Sequence, residues 1–220
     1  MSKSRLSHRI TAILLSLAVT MVGCSKDSGK KESGASRGPA KTAKEAAVNL
    51  VVAVEQGDKA LFVQSVAADS KDKPMVEAMF EVVSAMWEFG NAYKKAYGSL
   101  PPGMSDMPPS ASEFESKVQI EETGDTAKAR LPGGKGPMDL VKKDGVWKVD
   151  MDTRIPDDPK ARDVQIKQSV MQTKAVRDVR TKIGKPGMTA EKITEELGKA
   201  MSSAFEKSQA VEVPAPNESK

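Results

Sequence analysis

The hydrophobic period of this sequence changes in one segment, residues 98–110, which contains four prolines and two glycines. Before the segment, apolar residues recur at helical spacing. After it they alternate with polar residues, as in a strand with one buried face. Proline interrupts both helices and central strands, so the segment separates two kinds of structure. The sequence therefore predicts an α+β fold in which helices precede an antiparallel sheet.

Three helical patterns precede the break. Thr42 and Glu45 have the spacing of a capping box, and Gly57 supplies a natural end to the helix that they begin. Asp58 can cap a second, short helix. The third helix covers about 74–97 and has one deep apolar face. That face consists of Met75, Met79, Val82, Val83, Met86, Phe89 and Tyr93, widened by Phe80 and Trp87.

Four alternating patterns follow the break and predict four strands. They cover about 114–121, 127–131, 138–142 and 147–151. Asp144 and Gly145 suit a type I′ hairpin turn, because both central residues of that turn need a positive φ. The glycine-rich loop 133–137 could bind an anion through its amides and Lys135. It matches neither phosphate-binding motif, so a connection between strands is the better interpretation.

Two further helices follow the sheet. Asp158 can cap and Pro159 can begin a helix that runs to about residue 183, and a second helix begins near Thr189. Together they predict a helical hairpin extension over 157–208, followed by a disordered tail over 209–220. The first of these helices has a basic side. That side either contacts anionic lipid headgroups or is an ordinary solvated surface.

The N-terminal residues have the pattern of an export signal. A positive head precedes an apolar stretch, 10–22, which is too short to span a bilayer comfortably. The stretch ends in Met21-Val22-Gly23-Cys24, which resembles the lipobox of bacterial lipoproteins, with Met21 where that family usually has Leu. The resemblance implies that residues 1–23 are removed, that the Cys24 thiol receives a diacylglycerol, and that the new amine is acylated. The alternative is an uncleaved N-terminal anchor with an incidental cysteine.

The residues after Cys24 predict a tether. Segment 24–41 is rich in Ser, Gly and Lys and has no aliphatic residue larger than Ala, so it cannot offset its ordering entropy by burial. Its root-mean-square span in the flexible regime is about 21 to 25 Å. By the lipoprotein resemblance, Ser25 favours the outer membrane if the organism has one. We therefore expect an extracytoplasmic, lipid-anchored protein.

Composition excludes several classes of function. Cys24 is the single cysteine and His8 the single histidine, which rules out a disulfide framework and disfavours zinc and related metals. Removal of the signal takes away three of the 34 basic residues, Lys3, Arg5 and Arg9, and leaves 31 against 30 acidic residues. The balance gives no support for nucleic-acid binding. We predict no cofactor and no metal.

Three short phrases carry a second resemblance. The segments 53–58 (AVEQGD), 124–127 (GDTA) and 143–149 (KDGVWKV) resemble the nuclear transport factor two-like superfamily, and within it small exported lipoproteins of unknown function related to lumazine-binding-like domains. The resemblance covers 42–153. It implies a cone in which three N-terminal helices pack on a curved four-stranded antiparallel sheet, with an apolar cavity at its wide end.

Such a cavity could bind an apolar ligand. The candidate lining residues are Met79, Phe80, Met86, Trp87, Tyr93 and Trp147. The alternative is that these side chains only fill the core. Enzymes of the superfamily move a proton with Asp and His or Tyr, but no histidine remains after signal removal. We predict a non-catalytic binding or interaction module for an envelope protein or an apolar small molecule. The alternative is a small isomerase- or cyclase-like enzyme that uses Tyr93 and a carboxylate such as Asp106.

Overall fold

The computed structural model describes residues 37–102, 110–131 and 136–210. Outside the described residues lie the predicted signal peptide 1–23, Cys24, the tether as far as residue 36, Asp106, the loop residues 132–135 and the tail from residue 211. The described residues form two compact units. We call residues 37–73 and 102–155 the sheet unit, and residues 74–101 and 156–210 the helical unit.

The described residues contain six α-helices and five strands. The helices are α1 (Ala43–Gln56), α2 (Lys59–Ser65), α3 (Lys73–Tyr97), α4 (Ala111–Lys117), α5 (Pro159–Arg180) and α6 (Ala190–Ala210). The strands are β1 (Val66–Ala67), β2 (Gln119–Thr123), β3 (Thr126–Arg130), β4 (Met138–Lys143) and β5 (Val146–Asp150). Among these residues, no helix has the length and apolar character needed to cross a membrane.

The sheet has five strands in the order β1-β5-β4-β3-β2 and is mixed. Strands β2 to β5 are antiparallel neighbours, and β1 pairs in parallel with β5 through Val66 and Val149. The prediction of a four-stranded, purely antiparallel sheet is therefore wrong. Strand β1 has two residues directly after α2, and so short a segment shows no alternation in the sequence.

A helix also occupies part of the first predicted strand. Helix α4 begins at the Ser110 side chain, which accepts a hydrogen bond from the Glu113 N–H at 3.3 Å. Phe114 is buried on this helix, and strand β2 begins only at Gln119. Glu113 and Lys117 form an ion pair at 2.7 Å, one helical turn apart. Over so few residues, a strand pattern and a helical pattern both predict that Phe114 is buried, so the sequence does not distinguish the two structures.

The core of the sheet unit surrounds α1. Ten residues of this helix, Ala43 and residues 46–54, are buried, and all of them except Asn49 are Ala, Val or Leu. The helix packs against the inner face of the sheet, which presents Ala127, Ala129, Leu140, Trp147 and Val149. The predicted capping box of Thr42 and Glu45 is confirmed, with both hydrogen bonds present. Gly57 ends the helix in the left-handed conformation at φ 70°.

The helical unit contains α3, α5 and α6. Helices α5 and α6 pack along each other, and Asp158 caps α5 through the N–H groups of Lys160 and Ala161, as the sequence predicts. The sequence assigned α3 to a layer of three N-terminal helices on the sheet, whereas the structure groups it with the two C-terminal helices. An apolar stripe shows that one face of a helix is covered, but not which element covers it.

Candidate functional site

The six residues predicted to line an apolar cavity divide between the two units. Met79, Phe80, Met86, Trp87 and Tyr93 lie on α3 in the helical unit, and Trp147 lies on β5 in the sheet unit. Phe80, Tyr93 and Trp147 are at most 4% exposed. The two methionines and Trp87 are half-buried. Binding of an apolar ligand by these residues stays a prediction.

Tyr93 has defined partners inside the helical unit. Its hydroxyl donates to the Ala190 carbonyl oxygen at 3.2 Å and lies 3.3 Å from the Thr194 Oγ1. Its ring packs edge-on against Tyr97, with centroids 4.7 Å apart. The Tyr97 hydroxyl donates to the Met188 carbonyl oxygen at 3.0 Å. These contacts join the C-terminal end of α3 to the start of α6, which gives Tyr93 a packing role.

Several basic residues of α5 and of the turn after it form ion pairs. Arg177 contacts Glu81 of α3 at 2.7 Å, and Arg180 pairs with Glu88 of the same helix. Four of the eight basic residues between 160 and 185 have carboxylate partners: Lys174, Arg177, Arg180 and Lys182. These charges position helices within the unit. These four charges are already neutralised by carboxylates, which weakens the hypothesis that the basic side of α5 binds lipid headgroups.

The outer face of the sheet forms a shallow groove that sequence reasoning missed. Its volume is about 570 Å³, and it is lined by Glu121, Thr123, Thr126, Lys128, Arg130, Asp139 and Asp150. Ala127 and Leu140, which are buried on the inner face, also border it. The strand register aligns Glu121, Lys128 and Asp139 across β2, β3 and β4. Glu121 also lies 3.7 Å from Arg130. Acidic and basic side chains therefore alternate along its floor.

The groove carries charges of both signs, so charge alone selects neither an anion nor a cation. Within the described ranges there is no group of three or more His, Cys, Asp or Glu arranged to hold a metal ion. None of the six predicted cavity residues lines the groove. Alternation of charged residues in the strands was the available signal. This alternation predicts which face of the sheet is exposed to solvent, but it does not predict that the exposed face forms a groove.

Shifted pKa values occur on the exposed surface of α6. A hydrogen bond from Lys199 and the charge of its ammonium group lower the pKa of Glu195, and the same contacts raise the pKa of Lys199. A backbone hydrogen bond and one from the Thr189 side chain lower the pKa of Glu191. All three groups are solvent-exposed. They stabilise a helix and its N-terminus and do not form a reactive cluster.

No family model, curated protein or solved structure matches this chain. The resemblances to bacterial lipoproteins and to the nuclear transport factor two-like superfamily therefore stay predictions. Of the residues on which functional expectations rested, Cys24, Asp106 and Lys135 lie outside the described residues.

Proposed function

We propose that this chain is a lipid-anchored protein of the cell envelope whose folded part is a non-catalytic binding or interaction module. The observation that carries the proposal is the single cysteine, Cys24, which directly follows Gly23 at the end of the apolar stretch 10–22. Two or three acyl chains at this residue would hold the protein stably on a membrane, whereas one would hold it reversibly.

The contacts of Tyr93 support a module over an isomerase- or cyclase-like enzyme. A catalytic tyrosine must present its hydroxyl to the reacting atoms, within hydrogen-bond reach of the proton that moves. The Tyr93 hydroxyl instead has the Ala190 carbonyl and the Thr194 hydroxyl as its partners, and the residue is 2% exposed. Its partners are a carbonyl and a hydroxyl rather than a second titratable side chain.

The anchor is tested by metabolic labelling with a clickable fatty acid in a bacterial host. We expect label in the wild-type protein, no label in the Cys24→Ser variant, and full label in the matched control Ser25→Ala, which keeps the cysteine. Mass spectrometry of the labelled protein should find an acylated peptide that begins at Cys24. Absence of label from the wild type, or equal label in Cys24→Ser, would contradict the anchor.

The binding role is tested separately by native mass spectrometry of protein purified from its own envelope. We expect a retained small molecule or a co-purifying envelope protein. A Trp87→Ala variant is the matched probe for an apolar ligand, because Trp87 is a half-buried candidate residue whose truncation leaves the buried Phe80 and Tyr93 in place. If the wild type carries neither ligand nor partner, the module assignment fails, while the anchor remains testable by labelling.

A further inference from the structure

The described chain enters the sheet unit at a defined place. The Ala40 carbonyl oxygen accepts a hydrogen bond from the Trp147 N–H at 3.0 Å, and Ala40 is buried. The Asn49 amide donates to the Gly38 carbonyl oxygen at 3.4 Å, and Arg37 donates to Asn49 at 3.5 Å. The segment 37–40 is therefore bound to the fold. Residues 25–36, which separate Cys24 from Arg37, lie outside the described residues.

This place of entry lies at one end of the sheet unit, which we call the hairpin end. Trp147 comes two residues after the Asp144-Gly145 turn, where Asp144 has φ 53°. The Lys142 N–H donates to the Asp125 carbonyl oxygen at 2.8 Å, which brings the β2–β3 turn to the same end. Helix α1 also begins here, because its first residue, Ala43, follows Ala40 closely.

The other end of α1 marks the opposite end of the unit. Glu55, in the last turn of α1, accepts a hydrogen bond from the Ala111 N–H at 2.9 Å. Ala111 begins α4, which leads into the first residue of β2, at the end of that strand farthest from the β2–β3 turn. Charges of both signs lie at this far end: the carboxylates Glu55, Asp58, Glu113, Glu115 and Asp152, and the basic residues Lys59, Lys117, Arg130 and Arg154.

The hairpin end carries exposed lysines instead. Its lysine patch consists of Lys41, Lys44, Lys142 and Lys143, and each of the four is exposed. None has an ion-pair partner among the described residues.

Four carboxylates lie near the lysine patch, and one of them is Glu122 in β2 beside the β2–β3 turn. Glu45 is held by the N–H groups of Lys41 at 2.7 Å and Thr42 at 3.2 Å, and Asp125 and Asp144 lie in the two turns. Arg37 adds a further positive charge. The five basic side chains at the hairpin end outnumber its four carboxylates by one, and the four lysines have no ion-pair partner among the described residues, whereas at the far end Glu113 pairs with Lys117.

We propose that the lysine patch docks on anionic phospholipid headgroups of the leaflet that holds the acyl chains, so that the hairpin end of the sheet unit faces the bilayer. The inference rests on the proposed lipid anchor. Thirteen Cα–Cα steps from Cys24 to Arg37 span at most about 45 Å, so a lipid anchor at Cys24 keeps this end of the fold within that distance of the membrane surface. Anionic headgroups attract lysines that come within a Debye length, about 8 to 10 Å.

The sheet unit suits this docking better than the basic side of α5. Arg177 and Arg180 are held by Glu81 and Glu88 within the helical unit, and each such pair cancels a charge that a headgroup would otherwise meet. The four lysines of the patch have no such partners among the described residues. The hairpin end therefore has both features: the chain enters the sheet unit there, and the four exposed lysines lie there.

The test is vesicle co-sedimentation with the processed chain, residues 24–220, carrying Cys24→Ser. This protein lacks the apolar stretch 10–22 and cannot be acylated, so only the electrostatic contact is measured. Vesicles are made of phosphatidylcholine with or without phosphatidylglycerol. We expect binding only to the anionic vesicles, with loss at high salt. A triple variant, Lys44→Glu, Lys142→Glu and Lys143→Glu, should weaken this binding by about a hundredfold, since each of the three lysines near an anionic surface contributes about fivefold.

The matched control has the same charge change in the helical unit: Lys160→Glu, Lys167→Glu and Lys185→Glu. These three lysines are exposed and have no ion-pair partner within the described ranges. The control should change binding less than about twofold, and thermal melts of both triple variants should match the parent chain. Equal loss in the two variants, or binding that ignores phosphatidylglycerol, would overturn the docking surface. Failure of fatty-acid labelling together with salt-sensitive vesicle binding would instead overturn the anchor and the assignment of the leaflet, and would leave the lysine patch as the lipid-binding surface.

Discussion

Different interactions stabilise the interior of each of the two units. In the sheet unit, α1 is surrounded by apolar side chains, and the buried polar residues of the unit are Asn49 on α1, Ser65 and Asp72. In the helical unit, buried polar side chains lie among the apolar ones: Ser84, Ser169, Gln172, Thr173 and Ser208. The helical unit also has ion pairs from α5 to α3 and a tyrosine hydrogen bond to α6. Apolar burial dominates the first unit, whereas the second combines it with polar contacts between helices.

The comparison implies that a few aromatic side chains carry much of the stability of the helical unit. Phe89 is fully buried on α3, and its ring centroid lies 6.0 Å from that of Tyr93. We expect Phe89→Ala to lower the free energy of unfolding by about 3 to 5 kcal/mol, because it removes a large apolar group and leaves a cavity. Urea denaturation followed by tryptophan fluorescence measures the change.

Val170→Ala is the control for Phe89→Ala. Val170 lies on α5 in the same unit but is 60% exposed. We expect a change of at most about 0.5 kcal/mol, as for surface substitutions in general. A loss in Val170→Ala as large as that in Phe89→Ala would mean that burial does not determine stability in this unit.

Loss of the Tyr93 hydroxyl should have the next largest effect. Tyr93→Phe keeps the ring but leaves the Ala190 carbonyl without this donor; the Thr194 hydroxyl still donates to it at 3.0 Å. We expect a loss of about 1 kcal/mol in the free energy of unfolding, the usual contribution of a hydrogen bond. Tyr97→Phe is the matched variant, since its hydroxyl donates to Met188 in the same region. An unchanged denaturation midpoint in both variants would remove the packing role of these hydroxyls.

Thr173 allows the polar interior of the helical unit to be tested in the opposite direction. Its Oγ1 is buried and has no hydrogen-bond partner in the described part of the chain. Valine has the same shape without the hydroxyl, so Thr173→Val should raise the free energy of unfolding by about 1 kcal/mol. The control is Thr126→Val in the sheet unit, where the hydroxyl donates to the Thr123 carbonyl oxygen at 3.0 Å. A lower melting temperature for Thr173→Val would show that this hydroxyl is satisfied in solution.

Local chemistry could be predicted from the sequence in both units. The caps at Thr42, Asp58 and Asp158 depend on neighbouring residues only, and all three are present. The Asp144-Gly145 turn has the positive φ values, 53° and 77°, that its sequence requires. Each of these features is decided within four residues of the chain. They are therefore visible without knowledge of the rest of the fold.

What the sequence could not supply depends on partners that are distant along the chain. The stripe on α3 gave no indication that Glu81 meets Arg177, which lies 96 positions away. The pairing of β1 with β5 joins residues that are similarly remote. The groove on the outer sheet face depends on how neighbouring strands align Glu121 and Lys128. Alternation and helical spacing describe single helices and strands. They could therefore predict neither the unit to which α3 belongs nor the groove on the sheet.

The smallest expected effect concerns the exposed pair Glu195 and Lys199 on α6, whose atoms lie 2.6 Å apart. The hydrogen bond and charge of Lys199 lower the pKa of Glu195 below its usual value of 4.5. Its contribution to stability is therefore present above pH 4.5 and is lost as the pH falls through the lowered value. On acidification, the melting temperature of Glu195→Gln should fall slightly less than that of the wild type. Thermal melts over a range of pH at low salt measure the difference.

A double-mutant cycle isolates the contribution of this pair. Lys199→Gln should lower the melting temperature slightly in the wild type and less in Glu195→Gln, where only the weaker attraction of Glu196 for Lys199 remains. High salt should shrink the difference, since both groups are exposed and screened. The ion pairs of α5 with α3 are less exposed than this one on their glutamate side, with Glu81 at 30%. A larger salt effect on Arg177→Gln than on Lys199→Gln would contradict this ranking of the helical unit's charges by burial.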